Sequence, residues 1–401
     1  MDITRFIIFF TVLSTIFIFI EYYTLFNWKK FVNENSLNEK LYSVPKYISI
    51  ILLIASTVSM FSSLFITVDE KVRYITMFLI ALWILPKLAI VPVLLVKDIS
   101  RLFVNIVRKI SKKEINKVDK NKRKVIQTSA WSLATIPFVM VSKGLFSTTL
   151  DFTVRKVEIK LPNLSNRLNG LKIVQLSDLH LGSFYDYSPF QEVSRIVNNL
   201  KPDILVITGD FVNNSPKELK ANYNDLKNLN ADIGIFSCLG NHDHYMSEDE
   251  HKTLLKVLKD VGANLLINSA KKLEINNSIL NIVGVDNLGM RQNFGDFDVA
   301  FRKVNEDESS ILLCHDPTNW DKNIRNKYPA DLTLSGHTHG GQVAWEFNGL
   351  ELKLAKFVYR QSEGLYKNGK HQIYVNRGIG TVGPPLRIGV KPEITEITLK
   401  S

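Results

Sequence analysis

The chain divides by pattern into a long apolar stretch and a mixed one. Up to about residue 150, apolar residues run on for twenty positions or more. Roughly 20 such residues cross a bilayer as a helix, and four segments qualify: 6–26, 47–68, 74–96 and 125–146. The first carries Glu21 near its end. No small-residue cleavage site follows Ile20, so it reads as an uncleaved anchor. The second lies between Lys46 and Asp69 without an internal charge. The third contains Pro86, Lys87 and Pro92, which predicts a kinked helix whose lysine snorkels to the interface. The fourth is the weakest, rich in Ser, Thr and Ala, with Lys143 inside.

From Phe152 onward strand and helix signals alternate. Short β-branched or apolar runs predict strands at 171–176, 203–208, 233–239, 279–285, 310–314, 332–334 and 373–375. Amphipathic spacing predicts helices at 187–200, 216–229 and 246–261, the last capped by Ser247 with Glu250 three residues on. Alternation of this kind argues for an α/β sheet. The expected domains are therefore a membrane domain, 1–150, and an α/β domain, 151–401.

Charge sets an expected orientation. The net charge is +11, from 50 basic and 39 acidic residues, and the segment 97–124 alone holds 11 Lys/Arg against 3 Asp/Glu. A basic loop beside membrane spans belongs on the cytoplasmic side and attracts anionic lipid. Lys29, Lys30 and Lys40 place the loop between the first two spans on that side as well. A fourth crossing then puts the domain after residue 150 outside the cytoplasm, in a multi-pass protein of the cell membrane. The rest of the chain is near charge balance, so membrane lipids are expected partners and nucleic acid is not. The two cysteines, Cys238 and Cys314, read as small core residues.

Chemistry concentrates in five motifs, each at the end of an apolar run: Ser177-Asp178-Leu179-His180, Thr208-Gly209-Asp210, Leu239-Gly240-Asn241-His242-Asp243, Cys314-His315-Asp316 and Ser335-Gly336-His337-Thr338-His339. Ligands in α/β proteins gather at the carboxyl ends of strands, and five such ends can converge. Asp178 and His180, like His337 and His339, alternate along the chain; in an extended loop both side chains of each pair would point the same way. Asp210 has two oxygens and can bridge two cations. His242, beside Asn241, is free for proton transfer. The N/O donor set suits two divalent ions such as Mn, Fe, Zn or Ni, and excludes a thiolate zinc site. His251 reads as a surface helix residue and His371 as a surface loop residue.

The motif series resembles the calcineurin-like metallophosphoesterases, over about residues 165–400. The run Val375-Asn376-Arg377-Gly378-Ile379-Gly380, with Pro385-Leu386-Arg387-Ile388-Gly389 and Pro392-Glu393-Ile394-Thr395, looks like the bacterial membrane-anchored branch. The resemblance implies a four-layer α-β-β-α sandwich, here preceded by a transmembrane helical region. It implies one metal on Asp178, His180, Asp210 and His339, and a second on Asp210, Asn241, His315 and His337. His242 would then protonate the leaving oxygen, with Asp243 orienting it. The implied activity is hydrolysis of a phosphodiester, pyrophosphate or phosphomonoester by a metal-bound hydroxide, and the anchor suggests a lipid-linked substrate. A catalytically inactive metal-binding membrane scaffold or sensor is the alternative, and the complete ligand set argues against it. Many members of the family continue the second motif as Gly-Asp-x-x-Asp, where this chain has Asn213. Arg377 and Arg387 could meet phosphate or serve structure.

Overall fold

A computed structural model describes residues 3–62, 70–111, 120–184, 188–325, 327–347 and 350–401. Internal contacts separate two compact units, Met1–Leu145 and Phe146–Ser401.

The first unit is helical: α1 (Ile3–Glu34), α2 (Lys40–Ser62), α3 (Glu70–Ser111), α4 (Lys120–Leu133) and α5 (Ile136–Phe146). The expected spans 6–26 and 47–68 fall on α1 and α2, and residues 63–68 lie outside the described residues. Two stretches among the described residues are long and apolar enough to cross a membrane, Tyr74–Val107 and Gln127–Leu150.

The expected basic loop at 97–124 is corrected. α3 runs unbroken through Pro86 and Pro92 to Ser111, so 97–111 is helix, as is 120–124; 112–119 lies outside the described residues. Leu102, Phe103, Ile106 and Ile110 recur among the bases at helical spacing, which lets the helix continue past Lys97. The fourth expected span is divided between α4 and α5 at Ala134-Thr135.

Lys87 does not snorkel. Its ammonium lies 2.7 and 2.9 Å from the two carboxylate oxygens of Glu21, and both side chains are buried. The Trp83 ring sits 4.0 Å below the ammonium, and the Trp83 indole N–H donates to Ser49 Oγ at 3.0 Å. α1, α2 and α3 are thus joined around one ion pair, because a charge buried in a helix bundle is tolerated only with its counter-charge.

The second unit contains two six-stranded sheets. The first has the order β1 (Thr153–Lys160), β16 (Glu393–Lys400), β2 (Lys172–Leu176), β3 (Ile204–Thr208), β4 (Gly234–Cys238) and β5 (Asn264–Leu265). The second runs β14 (Gly364–Asn368), β15 (His371–Val375), β11 (Leu332–Ser335), β10 (Ser309–Leu313), β7 (Ser278–Gly284) and β6 (Ser269–Ile275). Two short ribbons complete the count: β8 (Leu288–Gly289) with β9 (Gln292–Asn293), and β12 (Ala344–Phe347) with β13 (Leu350–Lys353). β2, β3 and β4 are parallel to one another, as are β7, β10, β11 and β15. Their carboxyl ends therefore open on loops at one end of each sheet.

Strand alternation builds the layers. In β3, Ile204 and Val206 face the second sheet, in a core with Ile282, Ile311 and Leu334. Leu205 and Ile207 face the opposite way, onto α6 (Ser188–Leu200) and α9 (Glu248–Asp260) through Phe190, Val193, Leu254 and Leu258. The second sheet turns Val283, Leu312 and Ile373 outward against α10 (Phe297–Phe301), Trp320 and Ile324. The result is the expected α-β-β-α stack. Ser247 caps α9 through the expected capping box with Glu250. The predicted helix 216–229 is instead two short ones, α7 (Lys217–Ala221) and α8 (Tyr223–Lys227), because Asn222 leaves helical geometry at φ −106°. Tyr187, the expected start of α6, lies outside the described residues.

Candidate metal centre

Every strand-end motif reaches the same place. Asp178 and His180 follow β2, Asp210 follows β3, and Asn241 with His242 follows β4. His315 follows β10, and His337 and His339 follow β11. The backbone that presents them is not extended. Asp178, His180, Asp210, His337 and His339 all adopt left-handed conformations, at φ of 49°, 41°, 55°, 69° and 50°. The reading of Asp178/His180 and His337/His339 as alternate residues of an extended loop is therefore corrected: a repeated left-handed turn aligns each pair. Non-glycine residues adopt this conformation at a cost, and such strain collects at functional sites. Two glycines make the close approach feasible. A Cβ on Gly336 would collide with Ser177 and Asp178, and one on Gly240 would collide with Asp210.

Three groups of donor atoms each lie within 4.8 Å: Asp178, His180 and His339; His180, Asp210 and His242; Asp210, His315 and His337. Asp210 Oδ2 is 3.1 Å from His315 Nε2 and 3.5 Å from His180 Nε2, and Asp178 Oδ1 is 3.3 Å from His339 Nε2. The donor chemistry fits a metal. Both ring nitrogens of His180, Nε2 of His315 and of His339, and the Asn241 side-chain oxygen are buried without a hydrogen-bond partner. Five unpartnered polar atoms in one place would be costly unless a cation completes them.

Hydrogen bonds aim these atoms. His315 Nδ1 donates to the Thr208 carbonyl at 2.7 Å, which fixes the tautomer and leaves Nε2 as a lone-pair donor toward Asp210. The His337 amide donates to both oxygens of Asp178 at 3.0 Å, and the His242 amide donates to Asp210 Oδ1 at 2.8 Å. Asn241 is anchored through its side-chain amide nitrogen to the Tyr245 hydroxyl at 3.1 Å, and its backbone carbonyl accepts from the Gln292 side chain at 3.1 Å. Burial alone would raise Asp210, but His315 and His180 hold its carboxyl well below the usual range. It therefore stays an anion.

His242 and Asp243 part company. His242 Nδ1 donates to the Asn213 carbonyl at 2.8 Å, leaving Nε2 for the cleft, and burial lowers the imidazole pKa. The expectation that Asp243 orients His242 is corrected: among the described residues no hydrogen bond joins their side chains. The Asp243 carboxylate accepts instead from the amides of Asp210 (2.8 Å), Phe211 (2.9 Å), Val212 (3.4 Å) and Gly240 (2.9 Å), stitching the β3 and β4 loops together. Burial and Asp210 push its carboxyl up to about 7, while those amides draw it back down. At position 213 the contact to His242 is made by the backbone carbonyl, which Asp and Asn supply alike.

Other expectations shift too. Arg387 is wholly buried and donates to the carbonyls of Arg377, Gly378 and Gly380 at 2.9, 3.1 and 2.6 Å, and Arg377 pairs with Glu363 at 2.6 Å. Arg387 thus braces the loop whose Gly380 amide bonds the Asp178 carbonyl, a structural task rather than a phosphate contact. His371 is buried in β15, not on a surface loop. His251 is half-buried, with Nδ1 2.9 Å from the Asp243 carbonyl, and His244, also half-buried, has Nε2 2.8 Å from Asp286. Tyr359, whose hydroxyl lies 3.3 Å from His337 Nε2, belongs to no motif and carries no sequence signal. Tyr245 follows Asn241 by four residues, a spacing that could have pointed to it. Part of the group opens on a cleft of about 430 Å³, lined by Asp210, Asn241, His242, His337 and His339 with Tyr245 and Tyr359.

Comparison with known proteins agrees with this geometry. Residues 171–341 match the calcineurin-like phosphoesterase family, and residues 4–149 match the "probable calcineurin-like phosphoesterase, transmembrane domain". The metallophosphoesterase YkuE of Bacillus subtilis is 35% identical over 248 residues, which is 61% of this chain and 84% of that protein. A metallophosphoesterase of Aquifex aeolicus is 34% identical over 272 residues, covering 66% of this chain and 98% of that one. The zebrafish "transmembrane protein with metallophosphoesterase domain" is 32% identical over 275 residues, 66% of this chain and 61% of its own length. Together with the His/Asp cluster at the strand ends, these matches establish that the chain belongs to the calcineurin-like metallophosphoesterases, a hydrolytic family, and that it carries their transmembrane domain at its amino-terminal end.

Proposed function

We propose that the protein is a multi-pass membrane phosphoesterase that hydrolyses a phosphodiester, pyrophosphate or phosphomonoester, with two divalent ions held by seven side chains. Asp178, His180, Asp210 and His339 would hold one ion, and Asp210, Asn241, His315 and His337 the other. The observation that carries the reading is the set of buried, unpartnered donor atoms of His180, Asn241, His315 and His339 around Asp210. When bound, such ions supply charge neutralisation at the phosphoryl group and an acidified water.

The chain's own residues do the rest. The fixed left-handed turns hold the donors in place before substrate arrives, so little reorganisation accompanies reaction. His242, oriented by the Asn213 carbonyl, presents Nε2 to the cleft, where it donates a hydrogen bond to a phosphoryl oxygen or a proton to the leaving oxygen. The basic residues of 97–124 support a cytoplasmic placement for that segment and an extracytoplasmic one for the catalytic unit. Membrane attachment favours a lipid-linked phosphoester, and the near-neutral charge outside 97–124 speaks against nucleic acid. A scaffold with a structural metal finds no support in a cleft that leads to the donors.

The detergent-solubilised chain with Mn²⁺ should hydrolyse bis-p-nitrophenyl phosphate. A His242→Asn variant should lose about 10²-fold or more in kcat, as expected for removal of a proton donor, while its metal content stays at the wild-type level. No turnover on any phosphoester, or a His242→Asn enzyme with full kcat, would count against the assignment.

A further inference from the structure

The helical unit holds a cavity of its own, separate from the metal site. It measures about 310 Å³ and lies between α1, α3 and the break from α4 to α5. Every residue that lines it falls between Asn27 and Pro137, inside that unit. The chain has no histidine before His180, so the metal-site donor set cannot recur here and the hydrolytic chemistry leaves the cavity unused.

One side of the cavity is basic. Lys30 of α1 and Lys97 and Arg101 of α3 line it, against the single carboxylate of Glu34. That carboxylate already accepts from Gln127 Nε2 at 2.9 Å. Lys97 is engaged by Asn27 Oδ1 at 2.5 Å and by Asp98 at 3.4 Å. Asp98 does not line the cavity, and it also accepts from the Tyr23 hydroxyl at 2.7 Å. Among the described residues, Lys30 and Arg101 pair with no carboxylate. Cations gathered in this way repel one another, and an anion between them relieves the repulsion.

The other side is apolar. Ile90 and Leu94 precede Lys97 on α3 and are both buried. At 1.5 Å per residue they carry the cavity roughly 10 Å along the helix from the lysine. Phe31 and Trp131 close it, with ring centroids 6.0 Å apart. Ala130 and Ala134, being small, leave the space free, and Val93, 64% exposed, stands at its mouth. A small free anion would leave this wall uncovered. A phosphate that carries a hydrocarbon chain covers both sides.

We propose that the cavity binds one anionic phospholipid, with its phosphate on Lys30, Lys97 and Arg101 and an acyl chain along Ile90, Leu94 and Trp131. Basic pockets between transmembrane helices take anionic lipid headgroups by the same chemistry. The lipid is a retained ligand that joins α4 to α1 and α3. It is not the substrate, and its binding stands independently of the phosphoesterase reading.

The test uses the full-length chain in neutral detergent micelles with equal amounts of phosphatidylglycerol and phosphatidylcholine. Native mass spectrometry should find one phosphatidylglycerol retained per chain, in preference to phosphatidylcholine. Phosphatidylglycerol should also raise Tm by about 3 °C or more over phosphatidylcholine. Lys30→Gln/Arg101→Gln should weaken retention about tenfold or more. Lys109→Gln/Lys124→Gln removes the same charge at exposed positions that do not line the cavity, and should retain the lipid as wild type does. Ala134→Phe, which fills the cavity and spares the cations, should lose the lipid too. Tm in phosphatidylcholine alone shows whether each variant folds; should Ala134→Phe fail there, the two glutamine pairs decide. Equal retention of both lipids, an equal loss in the two glutamine pairs, or full displacement by glycerol 3-phosphate would overturn the site.

Discussion

Asp210→Ala should abolish phosphoester hydrolysis and strip metal from the protein at the same time. Asp210 is the one side chain common to the two proposed ligand sets, with Oδ2 3.1 Å from His315 and 3.5 Å from His180. Its Oδ1 is fixed by the His242 amide. Removing it leaves the imidazoles without the anion between them and leaves any divalent ion short of its shared carboxylate. Metal ions contribute several kcal/mol to transition-state stabilisation, so kcat/KM should fall by about 10³-fold or more at 1.36 kcal/mol per decade. Bound metal, measured on the same sample, should fall by at least half. Retention of wild-type activity by Asp210→Ala would remove the site from the chemistry. Asp243→Ala should behave differently: four backbone amides lose their acceptor, so the expected damage is to the fold of the β3 and β4 loops rather than to proton transfer.

The second large effect lies in the helical unit. Lys87→Leu should destabilise it by about 3–5 kcal/mol, the usual consequence of stranding one member of a buried ion pair. Glu21 would be left 2% exposed without its counter-charge. Glu21→Leu/Lys87→Leu should recover most of that loss, because a buried helix contact accepts two leucines more readily than one orphan carboxylate. Thermal unfolding of the solubilised full-length chain, followed by size exclusion, separates the cases. A double variant as fragile as Lys87→Leu would show that the ion pair is not the reason for the loss.

How much of this could be read from the chain alone depends on what kind of information each feature uses. The gathering of the Asp, Asn and His motifs in one place was legible because their residue types are rare in combination and sit at the ends of apolar runs, and strand ends of parallel sheets converge. The four-layer stack was legible through the resemblance those motifs carry, and the alternation in β3 agrees with it. The pairing of Lys87 with Glu21 was not, because 66 residues separate them and only the packing of α1 on α3 brings them together. The left-handed turns at Asp178, His180, Asp210, His337 and His339 were missed for a similar reason. Asp and His tolerate that conformation without announcing it, whereas a glycine would have. The task of Asp243 is invisible in sequence, since its four partners are backbone amides that every residue possesses. Arg387 looked like a phosphate contact because guanidinium suits phosphate, and its complete burial among carbonyls could be seen only in the fold. The strand β16, inserted between β1 and β2 from the far end of the chain, likewise has no local signature.

Elemental analysis of the full-length protein, paired with its phosphodiesterase activity, tests the central claim most directly. Two divalent ions per chain, lost to a chelator together with activity and restored together by Mn²⁺, is the expected result. A protein that hydrolyses bis-p-nitrophenyl phosphate equally well after chelation, with no metal detectable, would contradict it.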